Sequence, residues 1–111
     1  MSNKKTENIN IKIDLDINKI PEKIQWSASE NNTKDKEAKA MFFSIWDNLK
    51  KETLKIDLWT KDMPLYEMRI FFYQTLLSMS KTYYRATQDE KMRDTMQDFC
   101  KYFAEKLELE K

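Results

Sequence analysis

Three carboxylates and one thiol are the side chains whose type and spacing could do chemistry. Asp14 and Asp16 stand two apart in an alternating segment, so on a strand both carboxylates point to one face. Asp57, in a later alternating segment, can share that face. Grouped carboxylates bind hard cations or work as acid and base. Lys12 and Lys55 fall on the same face by the same alternation, so solvated cross-strand ion pairs are the simpler expectation. Nothing nearby supplies the roughly six to eight oxygen ligands that calcium takes. Cys100 sits between Met96 and Phe103 on an apolar helical stripe, where a buried structural thiol is expected.

The absent residue types exclude more. The 111 residues contain no glycine and no histidine. Without glycine there is no dinucleotide-binding turn, no P-loop and no nucleophile elbow. Without histidine there is no Ser-His-Asp triad and no His-based zinc site. One cysteine makes no internal disulfide. The expectation is a non-enzyme with no catalytic residue, no metal and no cofactor. Twenty basic and 19 acidic residues leave a net charge of +1, so no electrostatic footprint for nucleic acid is expected. The polar N-terminus and the lack of a long apolar run predict no signal peptide, no membrane insertion and a cytoplasmic location.

The elements that position these groups follow from periodicity. The length suits one domain, 1–111, with a flexible N-terminus at 1–7, an antiparallel sheet over 8–60 and two helices over 62–108. Ile9, Ile11, Ile13, Leu15 and Ile17 alternate with polar residues, which predicts a strand. Asn18–Pro21 reads as a turn, and Ile24, Trp26 and Ala28 mark a second strand. Residues 29–37 read as a charged loop. Ala38–Trp46 is a third strand, and Glu52–Thr60 a fourth with Leu54, Ile56 and Leu58 on one face. Asn48 is the expected carrier of a left-handed turn conformation between them. Asp62 is the expected cap of the first helix, with Pro64 in its first turn, and Thr87 to Glu90 a capping box for the second. Strands followed by helices predict an α+β fold: a four-stranded antiparallel sheet with two C-terminal helices packed on one face.

Two apolar surfaces exceed what such a core needs. The first helix carries a main stripe of Leu65, Met68, Phe72, Leu76, Met79 and Tyr83. A second stripe holds Tyr66, Ile70, Tyr73, Leu77 and Tyr84. It packs on the second helix or meets another chain. If Met41, Phe43 and Ile45 point inward, then Phe42 and Trp46 point outward near Trp59, forming an aromatic patch. These eight residues of the second stripe and the patch are the candidate interaction surface.

Longer stretches resemble a known family. Ile56-Asp57-Leu58-Trp59-Thr60-Lys61-Asp62-Met63-Pro64 resembles the central motif of the gliding motility-associated protein GldC family of bacteroidete bacteria. Ala86-Thr87-Gln88-Asp89-Glu90-Lys91-Met92-Arg93-Asp94-Thr95-Met96, with Asp98-Phe99-Cys100 and Tyr102 to Leu107, resembles its C-terminal helix. Lys19 to Trp26 fits its N-terminal part, so the likeness runs from about residue 9 to 107. The resemblance implies a small cytoplasmic accessory of the gliding machinery, which is linked to type IX secretion. It implies protein partners, and no catalytic residue is carried over. Four strands followed by two helices is also the layout of the export chaperone SecB, by analogy alone. A homo-oligomer that binds machinery proteins is therefore expected. The alternative is a SecB-like holdase for unfolded secretory or motility proteins.

Overall fold

The computed structural model describes residues 4–109, so residues 1–3 of the expected flexible N-terminus lie outside the described residues. The chain divides into two compact units, Met1–Met63 and Pro64–Lys111. The first holds the strands and one short 3-10 turn (Glu30–Asn32) and the second holds both α-helices, which gives an α+β fold with two C-terminal helices.

The first unit holds β1 (Ile9–Leu15), β2 (Pro21–Ala28), β3 (Thr33–Ala38), β4 (Ala40–Asp47) and β5 (Glu52–Trp59). They form two antiparallel sheets, β1-β2-β3 and β4-β5, and not the expected four-stranded sheet. The extra strand is β3, which takes residues 33–37 of the segment that reads as a loop and Ala38, the first residue of the expected third strand. It has the sequence Thr-Lys-Asp-Lys-Glu-Ala, with no alternation to betray it. Its backbone is held by β2, through Ile24 opposite Ala38 and Trp26 opposite Lys36. A charged strand is tolerated there because an edge strand leaves its side chains in water.

Lys39 divides the sheets. Ala38 on one side pairs with β2, and Ala40 on the other with Trp59 of β5. The Thr60 amide donates to the Lys39 carbonyl at 2.8 Å, so the ladder of β4 and β5 runs up to that residue. The strand thus changes partner at one position, and each half closes its own sheet.

The turn between β1 and β2 is built by Asp16. Its Oδ1 accepts the amides of Asn18 (2.8 Å) and Ile20 (3.0 Å), and Lys19 takes φ 65°. Asp16 is therefore a turn organiser outside β1 and does not extend a strand face with Asp14. Between β4 and β5, Asp47 Oδ1 accepts the Leu49 amide at 3.1 Å. The left-handed residue there is Lys51, φ 58°, and not Asn48. Ile24 is the buried apolar centre of the three-stranded sheet, 1% exposed, opposite Ile13 and Ala38.

The second unit pairs α1 (Leu65–Thr87) with α2 (Glu90–Lys106). Pro64 is the N-cap of α1, without a side-chain cap. Asp62 is occupied elsewhere: its carboxylate accepts from the Thr60 hydroxyl (2.6 Å) and the Lys39 ammonium (2.9 Å). Gln88 ends α1 in the left-handed region, and its amide donates to the Tyr84 carbonyl at 2.8 Å. The cap of α2 is Asp89, whose Oδ1 accepts the Met92 amide at 3.0 Å. Thr87 was the expected cap, but its hydroxyl donates to the Tyr83 carbonyl. The helices meet at small residues. Ser80 is fully buried, its hydroxyl donates to the Leu77 carbonyl (2.6 Å), and it accepts from Gln97 Nε2 of α2 (3.2 Å). Buried Cys100 and Ala104 follow Gln97 at steps of three and four on that face of α2.

Candidate interaction surface

The β4-β5 ribbon carries two unlike faces. Its register places Met41 opposite Leu58, Phe43 opposite Ile56 and Ile45 opposite Leu54. That face therefore groups six apolar side chains in three cross-strand pairs, with the charged pair Asp47–Glu52 at its turn end. Ile45, Leu54 and Ile56 are about half exposed, at 49%, 50% and 53%. From the sequence, Leu54 and Ile56 fall on one face of their strand, and Ile45 is inward only as a condition for the outward aromatic patch. Alternation groups these apolar residues on one face but carries no signal of what covers it. A two-stranded ribbon has too little area to bury such a face within itself.

The other face holds Ala40 opposite Trp59, Phe42 opposite Asp57, Ser44 opposite Lys55 and Trp46 opposite Thr53. Phe42, Trp46 and Trp59 do share a face, and both tryptophans are exposed. They do not form a continuous patch, because the Ser44–Lys55 pair separates Phe42 from Trp46. The Lys55 ammonium donates to Ser44 Oγ (3.2 Å), lies 3.4 Å from Asp57 and stands 5.9 Å from the Phe42 ring centroid. A polar, cation-bearing centre is thus flanked by aromatic ends. Beside Trp59, a shallow cleft of about 260 Å³ is lined by Ile20, Pro21, Asp57, Leu58 and Trp59.

On α1, Tyr66 is exposed, while Ile70, Tyr73, Leu77 and Tyr84 are half-buried. Ser80 belongs to the same row as Leu77 and Tyr84 and bonds to α2. The Arg93 guanidinium of α2 lies 4.4 Å from the Tyr84 ring centroid. The C-terminal half of this tyrosine row therefore faces α2. The other row, expected as the main core stripe, exposes Leu65, Phe72 and Met79.

The carboxylates are placed for structure. The amide of Ile20, then the ammonium of Lys61 at 2.9 Å, hold Asp16 below the usual carboxylate range. The Thr60 hydroxyl, then Lys39, lower Asp62 in the same way. Asp57 lies beside Lys55, and Asp14 is opposite Lys23. Among the described residues no three carboxylates or thiols gather as metal ligands. Burial pushes the Cys100 thiol up, away from the reactive thiolate. No helix among the described residues is long and apolar enough to cross a membrane.

Comparison with known proteins adds the family. No curated protein and no solved structure matches the chain. The model of the family described as "Gliding motility-associated protein GldC-like" matches residues 21–109, from the start of β2 to beyond α2. With most of its length inside that match, the chain belongs to the GldC-like family.

Proposed function

We propose that this chain is a non-enzymatic accessory of gliding motility and its type IX secretion apparatus, acting in the cytoplasm by binding other proteins. The family supports the process. The observation that carries the mode of action is the β4-β5 ribbon, whose apolar face leaves Ile45, Leu54 and Ile56 half exposed. Apolar side chains grouped in this way are a mark of association sites. The partners are components of the machinery and further copies of the chain, with no nucleic acid and no membrane insertion.

Light scattering behind size exclusion, with hydrophobic-dye fluorescence on the same fractions, tests this reading. An oligomer that binds less dye when Ile45 and Ile56 become lysine supports it. A strict monomer at high micromolar concentration with no dye binding contradicts it.

The exposed Trp46 and Trp59 favour a second reading, a SecB-like holdase that retains unfolded clients. It expects the chain to suppress aggregation of a denatured enzyme. Replacing Phe42, Trp46 and Trp59 by serine abolishes that suppression if the reading holds. Unchanged suppression removes it.

A further inference from the structure

The three-stranded sheet ends in two unlike edges. At β3, residues 34–37 are all charged, and the register slips between Trp26 and Ala28 opposite a left-handed Asp35 (φ 48°). Charge and a bulge both discourage another strand from pairing there. The β1 edge is less defended: it carries two charges of opposite sign, Lys12 and Asp14, and no bulge of its own. It alternates without proline from Ile9 to Leu15, and Ile9 and Leu15 are exposed. Asp14 pairs with Lys23 and Leu15 with Pro21, so the extra residue is Glu22 of β2 and β1 itself stays regular.

The hydrogen bonds show which groups face outward. The Ser29 amide donates to the Asn8 carbonyl, and the Asp16 amide to the Ile20 carbonyl. Even-numbered residues of β1 thus direct their backbone toward β2. By alternation Ile9, Ile11, Ile13 and Leu15 turn N–H and C=O to the open edge. These are the donors and acceptors a further strand would use.

We propose that β1 pairs antiparallel with β1 of a second copy, about a two-fold axis at Ile13. This rests on the homo-oligomer reading above and names its surface. Three two-fold registers keep apolar residues largely opposite apolar ones, and charge separates them. Centring on Lys12 sets that lysine against itself. Centring on Ile11 sets Lys12 against Asn10 and Leu15 against Glu7. Centring on Ile13 sets Lys12 against Asp14 twice and Ile11 against Leu15 twice. Opposite charges stabilise a cross-strand pair and like charges weaken it. In this register each Lys12–Asp14 pair is a non-hydrogen-bonded one, where side chains are closest.

Both partners are available. Lys12 is 3.6 Å from Asp35 with its side chain 64% exposed, and Asp14 makes no ion pair among the described residues. The complementarity is of β1 with itself, so a second copy is the occupant. The product is one six-stranded sheet, β3-β2-β1-β1-β2-β3. β1 precedes the family match, so the pairing rests on this chain's own residues.

The test uses sedimentation equilibrium of the full chain, with circular dichroism to confirm folding. Lys12→Asp alone and Asp14→Lys alone each bring like charges together and raise the dimer dissociation constant about tenfold or more. Mixing the two variants, or combining both changes in one chain, restores dimerisation. A dimer that survives both single changes, or no rescue in the mixture, overturns β1 pairing while leaving the oligomer reading intact. A wild-type chain that stays monomeric at high micromolar concentration overturns both.

Discussion

The Lys61 ammonium donates a 2.9 Å hydrogen bond to the carboxylate of Asp16, 45 residues earlier in the chain. The same lysine donates its backbone amide to the Pro21 carbonyl at 3.3 Å. Two bonds from one residue thus join the segment after β5 to the turn between β1 and β2. The Asp16 side chain is only 13% exposed, and it also holds the amides of Asn18 and Ile20. The carboxylate that looked like a candidate ligand is the fastener of the first unit.

Asp16→Ala therefore lowers the melting temperature more than Lys61→Met, because it releases the turn as well as the ion pair. The pH dependence has a sign at each end. Asp16 is depressed, chiefly by the Ile20 amide and then by Lys61, so its contribution is present above the unfolded carboxylate value of about 3.9 and lost as pH falls through the folded value. Lys61 is raised by Asp16, so its contribution is present below about 10.4 and lost as pH rises through the folded value. Thermal melts from acid to alkaline pH check this. The difference between wild type and Asp16→Ala should shrink at acid pH.

Asp89 carries two bonds in the helical unit. It accepts the Met92 amide at 3.0 Å and the Tyr83 hydroxyl at 2.9 Å. The amide, then the hydroxyl, hold its carboxyl low, so its stabilisation too is lost as pH falls through that lowered value. Asp89→Ala should lower helicity and melting temperature, and Tyr83→Phe should do so by less. Because Asp89 is the cap, Thr87→Ala should cost less than Asp89→Ala.

Ser80 and Ile24 report on the two units separately. Ser80→Leu forces a large side chain into the contact between α1 and α2 and should cost about 1–3 kcal/mol. Ser80→Ala leaves Gln97 without its partner and should cost about 1 kcal/mol. Ile24→Ala empties the centre of the three-stranded sheet and should cost about 2–5 kcal/mol. Urea titrations followed by circular dichroism measure all three.

Cys100 is 2% exposed, and burial alone raises its thiol. A thiol reagent at pH 8 should label the native chain slowly and the urea-unfolded chain at the rate of a free cysteine. Fast labelling of the native chain would contradict the burial.

The legible parts of this fold were mostly those whose side chains alternate or recur. β1, β2 and β5 show through the alternation of Ile9 to Leu15, Ile24 to Ala28 and Leu54 to Leu58, and β4 instead through the aromatic and β-branched content of Phe42 to Trp46. β3 was hidden because its residues carry no pattern and β2 holds its backbone. The four-stranded sheet failed at Lys39 for a related reason, since a change of partner leaves no mark on side-chain alternation. Capping was misread where a better geometry competed for the residue: Asp62 is taken by Thr60 and Lys39, and Thr87 by Tyr83. In the candidate surface, the outward placing of Trp46 and Trp59 was visible. The exposure of Ile45, Leu54 and Ile56 was not, because apolar alternation identifies a face without naming what lies against it.

The central claim is that this chain works by apolar contact through the β4-β5 ribbon. Colony spreading of a gliding bacterium that lacks the chain, complemented with variants, tests it most directly. A folded, normally expressed Ile45→Lys/Ile56→Lys chain should fail to restore spreading, while Asp57→Asn restores it fully. Full spreading with the double lysine variant, or loss with Asp57→Asn alone, would contradict the account.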